Sequence, residues 1–456
     1  MQKTYVIDTN VLIQAPYALE SFEDNHIVLP LTVLEELDGL KDRPGDCGAN
    51  ARAVIRRLEQ LRRSGDLVHG VTLPGGGSLR LEVNHVNVAL PHGFQPGLND
   101  NRILKVCKGL TDEGSPTTLV TRDIIVRLKA QLMGIPAEDF TTDQVEPPAG
   151  QYAGRCEAYV PDECMAGFRK KGADPCALYT CGEDGARRPV SLSVNQFCLL
   201  RSETRPTRTQ LGFYNGAQVV ALRHSRQAPF GVRPKNVGQH FLQEALLEPC
   251  KNAPLVIVKG PAGTAKTFYS LAVGLHSILN EKEPAYRKIL LCRSNAQFDK
   301  DIGFLPGDEQ EKIAPLLRPV LDNLEVLVDS DEKERYKNEA ELRGKVDFLF
   351  TSGVITAEAI NFIRGRSICC TYLIIDEAQN LTPRQVKGIL TRAGQGTKII
   401  LLGDPQQIDN PLLDAQTNGL SYASAHMRGS PLCWQVTMLP EECERSQLAM
   451  DAAQRM

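Results

Sequence analysis

The chain has 456 residues, enough for two or three domains that each bury a core of their own. With 42% hydrophobic and 23% charged residues and a formal net charge of -3, it reads as globular, and a generally basic nucleic-acid coat is excluded, so any nucleic-acid contact must come from local patches. No apolar run approaches the ~20 residues of a membrane span, so no membrane partner is expected. Met1-Gln2-Lys3-Thr4 runs straight into a strand-like TYVID without a signal peptide, and thirteen cysteines without an export signal read as the reduced thiols of a cytoplasmic protein.

In chain order, the stretch from Tyr5 begins as a short apolar strand that ends on Asp8 and is followed by a helix-capping Thr9-Asn10 pair. An acid at the end of a buried strand points into the crevice where α/β sheets bind ligands. A second strand, His26 to Pro30, leads into a helix from Leu31 to Lys41 carrying Glu35, Glu36 and Asp38. Asp100 follows in LNDNRIL, and a strand from Thr118 to Val120 ends at Thr121, with Asp123 heading the next helix. Each acid singly also reads as a helix cap or a solvated charge. As a set at strand–helix junctions they would repel one another unless a divalent cation neutralised them, and such a cluster suits Mg²⁺ or Mn²⁺ in phosphodiester hydrolysis.

VIDTNVLI, VLPLTVLEELDGLK, NDNRIL and LVTRD, in this order over residues 1–141, resemble a PIN domain, a family of metal-dependent ribonucleases. The resemblance implies Asp8, Glu36, Asp100 and Asp123 as metal-binding and catalytic acids, with Thr9 and Thr121 as supporting hydroxyls. Glu36 is chosen over Glu35 because it occupies the E of the E-L-D element. Arg52, Arg56, Arg57, Arg62 and Arg63, on a helical segment from Ala49 to Arg63, offer contacts to RNA phosphates; a solvated helix face is the plainer reading.

Residues 142–229 form a linker followed by a small β-rich accessory region: runs such as CEAYV, VNQFCLL and QVVALRH alternate with Gly/Asp/Arg turns. Cys156, Cys164, Cys176 and Cys181 contain no C-x-x-C pair, so ordinary thiols are expected over a zinc site. Arg201 to Arg208 is a basic stretch open to nucleic acid.

The chain is organised around LVIVKGPAGTAKT, residues 255–267. A buried strand, a small-residue turn and a helix from Phe268 to Leu279 make a phosphate cradle of Gly260, Pro261, Ala262, Gly263, Thr264 and Ala265, whose glycines and small alanines let the backbone N–H groups curl around an oxyanion. Lys266 reaches the β/γ-phosphates of ATP and Thr267 ligates Mg²⁺. Ala265 stands where the last glycine of G-x-x-x-x-G-K-[ST] is usual, and a negative φ is expected there. Before the loop, Gln239 has an amide suited to an adenine edge and Phe230 a ring to stack on it. After it come strands Lys288 to Cys292, Tyr372 to Ile375 and Lys398 to Leu402. The second of these ends in Asp376, for the Mg²⁺ shell, and Glu377, to orient and deprotonate water. The third ends in GDPQQ, where Gln407 is placed as γ-phosphate sensor.

These motifs resemble superfamily-one helicases, with D-E-A-Q and G-D-x-x-Q on neighbouring strands. GPAGTAKT, DIGFLPG, DEAQNLTPRQVKGILTRAG, GDPQQIDNP and ERSQLA, over residues 230–456, are more similar to the PhoH-like ATPases. PIN plus PhoH on one chain resembles a fused branch whose members unwind and cleave RNA and whose ATPase domains form homo-oligomeric rings. That implies an arginine acting on a neighbour's ATP, with Arg392 and Arg445 as candidates. The expected fold is α/β throughout: a PIN-like three-layer sheet, a small β-rich region and a P-loop, RecA-like ATPase. Two other readings are an ATP-switched RNA-binding scaffold with a non-cutting PIN module and a phosphate-starvation-type ATPase.

Overall fold

The structure is a computed structural model, describing residues 2–74, 76–141, 144–182, 184–279, 284–294, 309–329, 339–363, 367–410 and 413–444. It divides into two compact units, Met1–Asp143 and Gln144–Met456.

The first unit is built on six strands: β1 (Thr4–Ile7), β2 (His26–Pro30), β3 (Val71–Thr72), β4 (Ser78–Glu82), β5 (Thr117–Val120) and β6 (Ala137–Glu138). They lie in the order β3-β4-β2-β1-β5-β6, all pairs parallel except β3 with β4. Strand β1 is apolar because neighbours flank it on both sides and its faces are covered; Val6 and Ile7 are fully buried, with Val28 and Leu119 in register with Val6. The chain passes from β1 to β2 on one side and returns with β5 on the other. A crevice therefore opens at the carboxyl ends of β1 and β5, where strand order reverses. The β3–β4 hairpin is an element that sequence periodicity did not mark.

The second unit holds two sheets. The first contains β7 (Arg155–Val160), β8 (Tyr179–Cys181), β9 (Arg187–Pro189), β10 (Phe197–Ser202), β11 (Thr209–Tyr214) and β12 (Val219–Ala221), in the order β12-β11-β10-β7-β8-β9 and antiparallel except for β7 with β10. The second is wholly parallel: β13 (Leu255–Lys259), β14 (Lys288–Arg293), β15 (Ile355–Ala357), β16 (Thr371–Asp376), β17 (Lys398–Gly403) and β18 (Cys433–Thr437), in the order β15-β14-β16-β17-β13-β18. Its strands are near-continuous apolar runs, as burial on both faces requires.

The two sheets share a core. Phe197 of β10 stacks on Phe241 at 4.7 Å between ring centroids, and Phe213 of β11 meets Trp434 of β18 at the same distance. Beside them a nearly buried ion pair joins Arg155 to Glu442 at 2.8 Å. The middle region that sequence marks off as an accessory segment is thus packed into the hydrophobic centre of the ATPase-like unit. Among the described residues no helix is long and apolar enough to cross a membrane.

Candidate active sites

The loop after β13 has the backbone that a phosphate cradle needs. Gly260 has φ 149 and Gly263 φ 87, and a Cβ at Gly260 would come within 2.7 Å of the Met438 Cβ. Ala265 has φ 64, in the left-handed region. This corrects the expectation of a negative φ: the loop keeps the conformation a glycine would adopt, and the alanine side chain bears the strain. Lys266 Nζ donates to the carbonyls of Gly260 at 2.6 Å and Pro261 at 2.8 Å, so its ammonium is already poised over the loop.

Strand order determines what faces this loop. Since β17 lies between β13 and β16, the ends of all three converge on one cleft of ≈ 230 Å³, lined among others by Lys266, Thr267, Arg293, Asp376, Glu377 and Gln407. Thr267 Oγ1 stands 3.4 Å from both carboxylate oxygens of Asp376. That is longer than a good O–H···O bond, and it suits two oxygen groups that share the shell of one hard cation. Burial and the neighbouring Glu377 push the Asp376 carboxyl up, so a cation there relieves a real electrostatic cost. Donor set and cradle therefore fit a nucleotide with Mg²⁺.

Glu377 is held at both oxygens, by Arg293 Nη2 at 3.1 Å and by Gln379 Nε2 at 2.7 Å, and its own backbone is left-handed at φ 55. The same Gln379 Nε2 donates to the Gln407 carbonyl at 2.8 Å, and Gln379 Oε1 accepts from Asp404 N at 3.2 Å. One fully buried amide thus joins the end of β16 to the loop after β17. Sequence reading assigned Gln379 no role; the available signal was its place in D-E-A-Q, one tight turn past Glu377.

Other expected residues sit elsewhere. Gln239 is buried with its amide engaged: Oε1 accepts from Lys235 N and Nε2 donates to Glu444, whose own N–H donates to the Gly263 carbonyl of the phosphate loop at 3.0 Å, so Gln239 stands behind the loop and does not line the cleft. Phe230 packs against the hydrophobic core. Arg392, just past the helix Pro383–Leu390, donates to the Gly388 carbonyl and does not line the cleft. Arg445 and the string DIGFLPG (301–307) lie outside the described residues.

In the first unit, Asp8 follows β1 and Thr121 follows β5, so the hydrogen bond from Asp8 N to Val120 O brings them side by side. Asp8 Oδ2 accepts from Thr121 Oγ1 at 2.6 Å and from Asn10 Nδ2 at 2.8 Å. Burial pushes the Asp8 carboxyl up to about 6, and the nearby Glu36 and Asp100 add to the rise. Glu36 accepts from the Thr9 hydroxyl and from Asn99 Nδ2, and Asp100 pairs with Lys129 at 3.1 Å. Asp123 caps the helix Ile124–Leu132, its Oδ1 accepting from Ile125 N at 2.7 Å. Asp8, Glu36 and Asp100 thus share one electrostatic neighbourhood, whereas Asp123 is turned to its helix. An all-oxygen, mutually repelling set of this kind fits a hard divalent cation. Of the basic residues considered for RNA, Arg57, Arg62 and Arg63 pair with Glu20 or Glu59, and Arg201 with Glu157.

A phosphate loop, a D-E strand end and a G-D-x-x-Q strand end on one parallel sheet define a P-loop ATPase, and the acid-lined parallel sheet before it is a nuclease-like module. The family described as PhoH-like protein matches residues 231–456 and the PIN domain matches residues 5–141. The chain is 39% identical to Protein PhoH2 of Bacillus subtilis strain 168 over 463 residues, 99% of each chain. It is 31% identical to Protein PhoH2 of Mycolicibacterium smegmatis, over 98% of this chain and 95% of that one. A PhoH-like protein of Bacillus subtilis is 36% identical over 198 residues, 43% of this chain and 55% of that relative. The chain belongs to the PhoH2 family.

Proposed function

We propose that this chain is an ATP-dependent RNA-remodelling enzyme with a metal-dependent endoribonuclease module, acting in the cytoplasm as a homo-oligomeric ring. The observation that carries the motor half is the Gln379 amide, which ties the Glu377 carboxylate to the Gln407 loop. In this reading Lys266 and the loop N–H groups bind the phosphates, while Thr267 and Asp376 would hold Mg²⁺, which supplies charge neutralisation when bound. Glu377, aligned by Arg293 and Gln379, orients water and takes its proton. Gln407 senses the γ-phosphate, and Gln379 passes its displacement between the two strand ends. Arg392 or Arg445 would complete a neighbouring subunit's site, and residues 142–229 act as an accessory region to the 230–456 motor.

In the nuclease module, Asp8, Glu36 and Asp100 would hold Mg²⁺ or Mn²⁺, with Thr9 and Thr121 fixing the carboxylates, and Asp123 would join them through Oδ2, the oxygen its helix cap does not use. Single-stranded RNA is the expected substrate, because an acid-lined crevice does not admit a duplex.

The test is cleavage of labelled single-stranded and structured RNA with Mg²⁺ or Mn²⁺, with and without ATP, by wild type, Asp8→Asn and Lys266→Ala. Asp8→Asn should abolish all cutting; Lys266→Ala should spare unstructured RNA and lose structured RNA. A wild type that hydrolyses ATP yet cuts nothing with either metal would replace the nuclease by an ATP-switched RNA-binding scaffold. Equal cutting of duplex and single strand would remove the substrate assignment.

A further inference from the structure

Away from both sites, the described residues contain one set of three metal-ligating side chains whose donor atoms all lie within 4.8 Å of one another: His224, Glu244 and Glu248. His224 follows β12, at the exit of the middle sheet. The two glutamates stand four residues apart at the end of the helix Val237–Leu247 and so share one face. Glu244 is fully buried and Glu248 is 2% exposed, whereas the His224 side chain is 19% exposed.

His224 Nε2 stands 3.4 Å from Glu248 Oε2. Charge-assisted N–H···O bonds are shorter, about 2.7–2.9 Å. Correspondingly, Glu248 Oε2 is a buried oxygen with no hydrogen-bond partner. The separation is instead that of two ligands on one tetrahedral cation, since N and O donors at about 2.0–2.1 Å from zinc lie roughly 3.3 Å apart.

The surrounding bonds hold the donors in place without exhausting them. Glu248 Oε1 accepts from Arg223 Nη1 at 3.0 Å and Asn252 Nδ2 at 2.8 Å. The Glu244 oxygens accept the backbone N–H groups of Arg223 and His224, and each keeps a second lone pair. Gln227 Nε2 lies 3.1 Å from His224 Nδ1; a half-turn of that amide, which exchanges its N and O at the same place, sets the oxygen to accept Nδ1–H and leaves the Nε2 lone pair for a metal, the usual support of a ligating histidine.

We propose that His224, Glu244 and Glu248 bind one Zn²⁺-class cation, separate from the cations of the ATP and acid sites. A mixed nitrogen and oxygen set favours such an ion over Mg²⁺. Bound there, it ties the turn that ends the middle sheet to the helix that leads into β13 and its phosphate loop. The partly exposed histidine edge is the way in, and water fills the fourth position.

The full-length chain, stripped with chelator, is incubated with Zn²⁺ or Co²⁺, desalted and assayed for retained metal, melting temperature and Co²⁺ absorption. Because thirteen cysteines offer other binding, the result is read by difference. Wild type should retain one more equivalent of Zn²⁺ than His224→Gln or Glu248→Gln, and a Zn²⁺-dependent rise in melting temperature should vanish in both. His224→Cys should keep the equivalent and add a thiolate-to-Co²⁺ charge-transfer band. An ATP-induced thermal shift shows that each variant is folded. Equal retention by wild type and both Gln variants, or no new band in His224→Cys, would reduce the cluster to an ion pair.

Discussion

Ala265 occupies a left-handed backbone position that glycine adopts without a steric cost. Ala265→Gly should therefore stabilise the second unit by roughly 1 kcal/mol, read as a higher urea midpoint, if relief of the Cβ clash outweighs the entropy that glycine adds to the unfolded chain. An unchanged midpoint would mean that the two terms cancel. At Asp8 the residue-scale effect is electrostatic. Its carboxyl is raised from 3.8 to about 6, so the folded state binds the proton more tightly than the unfolded chain does. Its contribution to stability is complete below about pH 4 and falls as pH rises toward 6, by about 3 kcal/mol at 1.36 kcal/mol per pH unit. Asp8→Asn, neutral throughout, should flatten that slope in chelator and exceed wild type in stability at pH 7. Denaturation series from pH 4 to 7 check this, and parallel slopes would contradict it.

Among the elements, the ends of β16 and β17 matter most, because their pairing lets one amide serve two loops. Gln379→Ala should lower kcat for ATP on the order of 10- to 100-fold, with little change in KM, since the phosphate loop and Thr267 are untouched. Gly403→Ala, in the cleft lining itself, should act similarly, as its Cβ would fall 2.1 Å from Gln379 Oε1. Steady-state ATPase kinetics separate the two parameters, and a rise in KM alone would show that the amide serves binding. One helix start was legible at this scale, Asp123 capping its helix with its side chain, whereas the Thr9-Asn10 pair expected to cap lies inside its helix, which Asp8 precedes without a side-chain cap. The short strands β3, β4, β8 and β9 were less so, since a few half-exposed residues carry almost no periodicity.

For the whole molecule, each unit encloses its own hydrophobic clusters, one in the first and three in the second among the described residues. Calorimetry should show two transitions. ATP with Mg²⁺ at about 100 times its Kd should stabilise the second by about 2.7 kcal/mol and leave the first in place, whereas Asp8→Asn should move only the first. A single transition shifted by both would show that the units unfold together.

The amino-acid sequence alone determined the local chemistry: apolar runs that end on Asp8, Asp376 and Gly403, and a small-residue turn before Lys266 and Thr267 that leads into a helix. Those features depend on neighbours in the chain, so they can be read there. Tertiary structure decided the rest. Only strand order puts β17 between β13 and β16 and so gives Gln379 two loops to hold. Only packing places Phe197 and Phe213 against Phe241 and Trp434, which makes the middle region part of the motor's core. Only the return of the chain past β12 sets His224 beside Glu244 and Glu248, because contacts between distant residues follow from burial and register, and no local pattern encodes them.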